Sequence, residues 1–229
     1  MPIFGITGGV ATGKSTFTRL LAARLGAEVF SSDAAARQLL ESDAGALAAL
    51  RAEFGDAVFD PATGVVRRDV LRELVFASAE RRRALEAILH PRIRASWTRW
   101  AEEKLQIDPN TALLVEIPLL YETGAEALLD RVIVVACGPA AQWRRLIEVR
   151  KLPAAIARQV IDSQLPLSEK IRRCDHLIWN DDAPASTAAA TPTEPTVTAP
   201  AAPSILAAQA DLCARCLQSA FSLPPAAVR

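Results

Sequence analysis

The stretch Gly8-Gly9-Val10-Ala11-Thr12-Gly13-Lys14-Ser15 decides how this sequence is read. Glycines at its two ends let the backbone curl so that successive N–H groups face inward, a shape that suits anionic oxygens. The residues before it, Ile3 to Thr7, form a short apolar run of strand type. Those after it, Thr16 to Leu25, carry Phe17, Leu20, Leu21 and Leu25 on one helical face. Strand, glycine loop and helix in that order make a phosphate-binding loop, because the helix N-terminus adds positive potential where the amides converge. Lys14 is spaced to reach β- and γ-phosphates, and the Ser15 hydroxyl to hold Mg²⁺.

Outward from this loop, strand-length apolar runs alternate with helical patterns. They are Glu28 to Ser31, Thr111 to Pro118, Arg131 to Ala136 and His176 to Trp179. Near-continuous apolar strands separated by helices imply a parallel sheet covered on both faces, here a doubly wound α/β core of five strands. The segment from Ala34 to Asp108 far exceeds a simple crossover, so an inserted helical lobe is expected, divided by the turn Asp60-Pro61-Ala62-Thr63-Gly64. An Arg-rich run of short helices from Pro139 to Arg173 is where a mobile lid is expected. Of the 22 residues from 183 to 204, 20 are Ala, Pro, Thr or Ser, which predicts a disordered linker. An amphipathic helix over Ile205 to Phe221 follows it. The expected organisation is thus a domain over 1–182 (core 1–33 and 111–182, insert about 34–110, lid about 139–173), then the linker, then a C-terminal helix within 205–229.

Formal net charge is zero, which gives no bulk positive potential for nucleic acid. No apolar run reaches the roughly 18 residues of a membrane span, and no signal peptide is apparent. Four cysteines make no disulfide framework, and Cys213-x-x-Cys216 falls in a helical pattern. A cytoplasmic protein, monomeric or weakly oligomeric, is expected. Of the 26 basic residues only four are Lys, one of them Lys14. Neither an Asn-Lys-x-Asp nor an Asp-x-x-Gly sequence occurs, so a GTPase switch is not indicated. The insert and the Arg-rich segment favour a small-molecule kinase whose lobes close over donor and acceptor. Phosphoryl transfer then needs a group to accept the acceptor's proton. Asp33, just past the second strand, is the first candidate, although it equally suits an N-cap for a helix beginning at Ala34. Glu116, an acid inside an apolar strand, is the rival and also suits a role at the metal.

In several ordered blocks the chain resembles dephospho-CoA kinase, from residue 3 to about 182. The blocks are Gly5 to Gly9 with Gly13 to Thr16; Asp33 to Arg37; Gly64 to Arg68 with Leu71, Val75 and Phe76; Leu89 to Ile93; Pro118 to Glu122; Gln142, Arg145 and Arg150; Gln164; and Asp175 with Asn180. The resemblance implies a nucleoside-monophosphate-kinase type of P-loop fold and transfer of the ATP γ-phosphate, with Mg²⁺, to the ribose 3′-hydroxyl of dephospho-CoA. It implies catalytic roles for Asp33, Lys14 and Arg145. It assigns ATP to Gly9, Ala11, Thr12, Gly13, Lys14, Ser15, Thr16, Arg145 and Arg150, and the acceptor to Asp33, Arg37, Arg68, His90, Pro118, Leu119 and Glu122. His90-Pro91 equally suits the end of one helix and the start of the next. Two departures stand out. Ala11 occupies a usual glycine position, so it must take φ below zero or carry strain. Ser31 replaces the first acid of a usual Asp-x-Asp.

Overall fold

The computed structural model describes residues 2–181 and 204–223. Its strands are β1 (Ile3–Gly8), β2 (Glu28–Ser31), β3 (Leu113–Glu116), β4 (Arg131–Ala136) and β5 (His176–Trp179), all parallel in the order β2-β3-β1-β4-β5. The parallel doubly wound sheet read from the sequence is therefore present. Strand β3 is shorter than the apolar run Thr111 to Pro118, because the chain beyond Glu116 leaves the ladder toward the site.

Side chains alternate between the two faces of the sheet. Phe4, Ile6, Leu114, Ile133, Val135 and Ile178 point to one face, where helix α1 (Lys14–Leu25) covers them with Phe17, Leu21 and Leu25. Val115, Ile117, Val132, Val134 and Ala136 point to the other, against Trp97. Between β2 and β3 run α2 (Ser32–Ser42), α3 (Ala44–Phe54), a 3₁₀ turn, α4 (Arg68–Ala77) and α5 (Ala79–Ile107). The first three helices pack on α5. Leu50, Phe54, Val58, Phe59, Val66 and Leu71 form a separate apolar cluster there.

Two local expectations are corrected. Helix α2 begins at Ser32, capped by the Ser31 hydroxyl, which accepts from the Ala34 N–H at 3.3 Å; Asp33 is thus inside the first turn and its carboxylate is not the cap. Pro91 lies within α5 instead of starting a new helix. It has no N–H to offer the Ala87 carbonyl, but buried Leu89 and Trp97 anchor the turns on both sides of it.

After β4 come α6 (Pro139–Arg144), a π-helical turn (Arg145–Val149), α7 (Ala154–Asp162) and α8 (Leu167–Arg173). The expected linker, Ser204 apart, lies outside the described residues. Helix α9 (Ile205–Phe221) has the bounds read from the sequence and packs on α1, with Leu206, Ala210, Cys213, Ala214 and Leu217 entering the core. The Gln209 side chain accepts from the Trp179 N–H at 2.8 Å and donates to the Trp179 carbonyl at 2.7 Å, which occupies backbone groups of the edge strand.

Candidate active site

Parallel register fixes where the site forms. Ile6 of β1, Glu116 of β3 and Ser31 of β2 stand level, so Gly8, the last residue of β1, comes out at the same edge as Pro118 and Asp33, two residues past the ends of β3 and β2. Ligands of open α/β sheets bind at that edge. At Gly8 φ is +148° and a Cβ would lie 2.0 Å from the Val135 carbonyl oxygen. At Gly13 φ is +92° and a Cβ would lie 2.3 Å from Asn180 Nδ2, so neither position admits a side chain. Ala11 takes the strained alternative, with φ at +58°. Its methyl is buried with Val10, Leu146 and Ala157, and this packing offsets a left-handed penalty of about 1–2 kcal/mol.

Inside the loop, Thr12 is buried and its hydroxyl donates to the Gly9 carbonyl at 2.9 Å. Lys14 Nζ donates to the carbonyls of Gly9 (2.8 Å) and Gly8 (3.4 Å). Burial pushes the Lys14 pKa down to about 8, with Lys170 and Arg150 pushing the same way and Glu116 and Asp33 opposing. Glu116 is buried, and its two carboxylate oxygens accept from Ser15 Oγ at 2.6 Å and Thr18 Oγ1 at 3.0 Å. The acid noticed inside a strand therefore anchors the hydroxyl assigned to the metal.

Residues from the Arg-rich segment hold the loop from outside. Gln142 donates to the Val10 carbonyl at 2.9 Å, and Gln164 accepts from the Val10 N–H at 3.0 Å. Arg145 donates to the carbonyls of Ala11 (3.3 Å) and Asn180 (2.7 Å), while Asn180 Nδ2 donates to the Thr12 carbonyl at 2.8 Å. Arg145 thus reaches the loop's own backbone.

Two cavities meet here. One, of about 350 Å³, opens over the loop and is lined by Lys14, Ser15, Thr16, Glu116, Arg150 and Asp33. The other, of about 310 Å³, lies between α2 and α5 and is mostly apolar, with Leu89, Trp97, Pro118 and Leu119 among its walls and Asp33, Glu86, His90 and Arg94 among its polar groups. Asp33, Pro118 and Gln164 line both. Asp33 is exposed. Burial lowers the His90 pKa, with Glu86 and Glu122 opposing.

Three residues assigned to the acceptor stand apart from these walls. Arg68 pairs with Glu41 and donates to the Arg37 carbonyl, so it sits against α2. Glu122 Oε1 accepts from the Leu165 N–H (2.8 Å) and pairs with the Lys170 ammonium (2.9 Å). Sequence reasoning missed Lys170, which is fully buried, and Thr18 and Thr7. For Lys170 the only signal was a lysine kept in a chain whose cations are almost all Arg. Thr18 stands one helical turn after Lys14.

A glycine loop at the end of β1, hydroxyl and lysine at the head of α1, and a second cavity sharing a carboxylate with the first define the class: a P-loop kinase. Comparison with known proteins narrows this. The sequence model of the family described as Dephospho-CoA kinase matches residues 2–185, and the chain belongs to that family. A Dephospho-CoA kinase of Anaeromyxobacter dehalogenans is 42% identical over 184 residues, covering 80% of this chain and 86% of that protein. Among solved structures, TT1252 from Thermus thermophilus superposes with a TM-score of 0.64 at 32% identity, over 80% of this chain and 90% of the other. Dephospho-CoA kinase from Campylobacter jejuni does so at 0.54 and 31%, over 79% and 89%.

Proposed function

We propose that this chain transfers the γ-phosphate of ATP to the ribose 3′-hydroxyl of dephospho-CoA, giving coenzyme A and ADP. The observation that carries the reading is the junction: the loop cavity and the apolar cavity share Asp33, Pro118 and Gln164. ATP phosphates fit the first, against Lys14, Ser15, Thr16, Arg150 and the amides from Gly9 to Gly13. The acceptor fits the second, between α2 and α5, within reach of His90 and Leu119. The acceptor oxygen bonds to the γ-phosphorus, the bond to the bridging oxygen breaks to leave ADP, and the hydroxyl proton goes to Asp33.

Asp33 is the better base because its carboxylate is exposed at the shared wall, whereas both Glu116 oxygens are occupied by hydroxyls. Ser15 and Glu116 present hard oxygen donors beside the phosphate cradle, which fits Mg²⁺. Bound there with ATP, the ion supplies charge neutralisation on the phosphates. Arg145 keeps the loop in shape through Ala11 and Asn180, a positioning role ahead of direct phosphate contact. The insert over about 34–110 serves as the acceptor lobe and 139–173 as the lid. Among the described residues no helix is long and apolar enough to cross a membrane; a cytoplasmic enzyme is the reading we adopt.

The test is an acceptor panel with ATP and Mg²⁺. Phosphorylation of dephospho-CoA at the 3′ position is expected. Phosphorylation of shikimate or a nucleoside monophosphate, with none of dephospho-CoA, would refute the proposal.

A further inference from the structure

Among the described residues, the most heavily enclosed charge has no part in the scheme above. Lys170 of α8 is fully buried, and its ammonium has two partners: it donates to the Pro118 carbonyl at 2.9 Å and forms an ion pair with Glu122 Oε1 at 2.9 Å. Each partner also takes a donor from another segment. The Pro118 carbonyl also receives the hydroxyl of buried Thr7, from the end of β1, at 3.1 Å. Glu122 Oε1 also receives the Leu165 N–H, from the loop between α7 and α8. One ammonium therefore ties β1, the Pro118 to Glu122 block and the 163–166 loop to a common point. Pro118 itself and Gln164, the neighbour of Leu165, are two of the three residues shared by the donor and acceptor cavities. Gln164 also holds the Val10 N–H of the phosphate loop.

The geometry points to Lys170 as a positioning residue for phosphoryl transfer: through Glu122 and Pro118 it fixes the wall where the two substrates meet. This rests on the functional reading above. The third residue of that wall, Asp33, comes from α2 and owes nothing to Lys170, so loss of the ammonium displaces two of the wall's three residues and leaves the base in place. The consequence is specific. With the wall loosened, water competes with the ribose hydroxyl for the γ-phosphorus; its oxygen forms the new bond, its proton goes to Asp33, the bond to the bridging oxygen breaks, and ADP and inorganic phosphate leave without coenzyme A.

A buried charge deserves a control that separates stability from positioning. Lys170→Met leaves Glu122 with its cation removed, which lowers stability by itself. The double variant Lys170→Met/Glu122→Gln removes that carboxylate charge too. The full chain is assayed with ATP, Mg²⁺ and dephospho-CoA, reading coenzyme A formed, phosphate released, both KM values and the thermal midpoint. In Lys170→Met the ratio of phosphate to coenzyme A is expected to rise on the order of tenfold or more, with KM rising more for dephospho-CoA than for ATP. The double variant is expected to regain thermal stability without regaining the ratio. Glu122→Gln alone, whose amide oxygen still accepts from Leu165, is expected to shift the ratio the same way by less, and it carries the test if Lys170→Met does not fold. A double variant or Glu122→Gln that melts cooperatively with the parent's ratio and parent's KM values overturns the role of Lys170. A parent enzyme that fails to phosphorylate dephospho-CoA overturns the functional reading instead.

Discussion

Lys14 is held in a place that disfavours its own charge, and this makes ATP binding a proton-linked event. Its pKa falls from 10.5 to about 8, chiefly through burial. That displacement corresponds to about 3 kcal/mol against the ammonium in the ATP-free enzyme. Because the folded value lies below the unfolded one, the folded chain binds fewer protons between pH 8 and 10.5. The penalty is therefore fully present below pH 8 and fades as pH rises through that window. ATP brings negative charge to the ammonium and raises its pKa again. At pH 8 roughly half of the free enzyme must then take up a proton on binding, falling to about one in ten at pH 7. Calorimetric titration of ATP in two buffers of different ionisation enthalpy measures this uptake directly; at pH 8 the γ-phosphate of free ATP is itself already deprotonated and contributes little. Above pH 8 the ATP Kd is expected to rise by up to about tenfold per pH unit. Lys14→Gln is expected to bind weakly with no linked uptake. Zero uptake by the parent at pH 8, with a flat Kd from pH 7 to 9.5, would refute the reasoning.

Asp33→Asn is expected to lower kcat by roughly 10²–10⁴-fold while ATP binding stays near the parent's, measured by steady-state kinetics and nucleotide titration; turnover like the parent's would remove Asp33 as base. Ala11→Gly is expected to move stability by less than about 1 kcal/mol, because relief of about 1–2 kcal/mol of left-handed strain is set against about 0.8 for the lost buried methyl and 0.4–1 for the freer unfolded chain. Thermal melts check it, and a change beyond about 2 kcal/mol would show that the strain at φ +58° is misjudged.

The sheet was legible because buried parallel strands announce themselves: β2, β4 and β5 have the bounds of their apolar runs. Helix α9 was legible for the complementary reason, its apolar stripe matching the groove beside α1. Of the two readings open at His90-Pro91, the helix boundary is the one the fold rules out, because proline's local preference loses to tertiary packing around Leu89 and Trp97. The phosphate loop could be read because its chemistry is contiguous. What escaped is what depends on distant partners. Glu116 was visible as an anomalous acid, but not that Ser15 and Thr18 would occupy both its oxygens. Arg68 and Glu122 were visible as charges, but their partners Glu41 and Lys170 lie 27 residues before the one and 48 after the other. Nothing local to α8 says that one of its exposed-looking cations is fully enclosed.

A chain of zero net charge must still present positive potential to a polyphosphate, and the local pairing shows how. Several cations elsewhere are matched to carboxylates: Arg24 to Asp211, Arg51 to Asp56, Arg68 to Glu41, Arg173 to Glu126. Around the loop backbone carbonyls take the cations' hydrogen bonds. Lys14 donates to the carbonyls of Gly8 and Gly9, Arg145 to those of Ala11 and Asn180, and Lys170 in part to that of Pro118. A carbonyl satisfies an N–H donor without cancelling its charge. Lys14 thus keeps its ammonium hydrogen-bonded to carbonyls that leave its charge in place, in a site whose burial depresses its pKa. An anion entering the cradle meets an ammonium that burial has already withdrawn from solvent, so their attraction is stronger than the same pair would have in water.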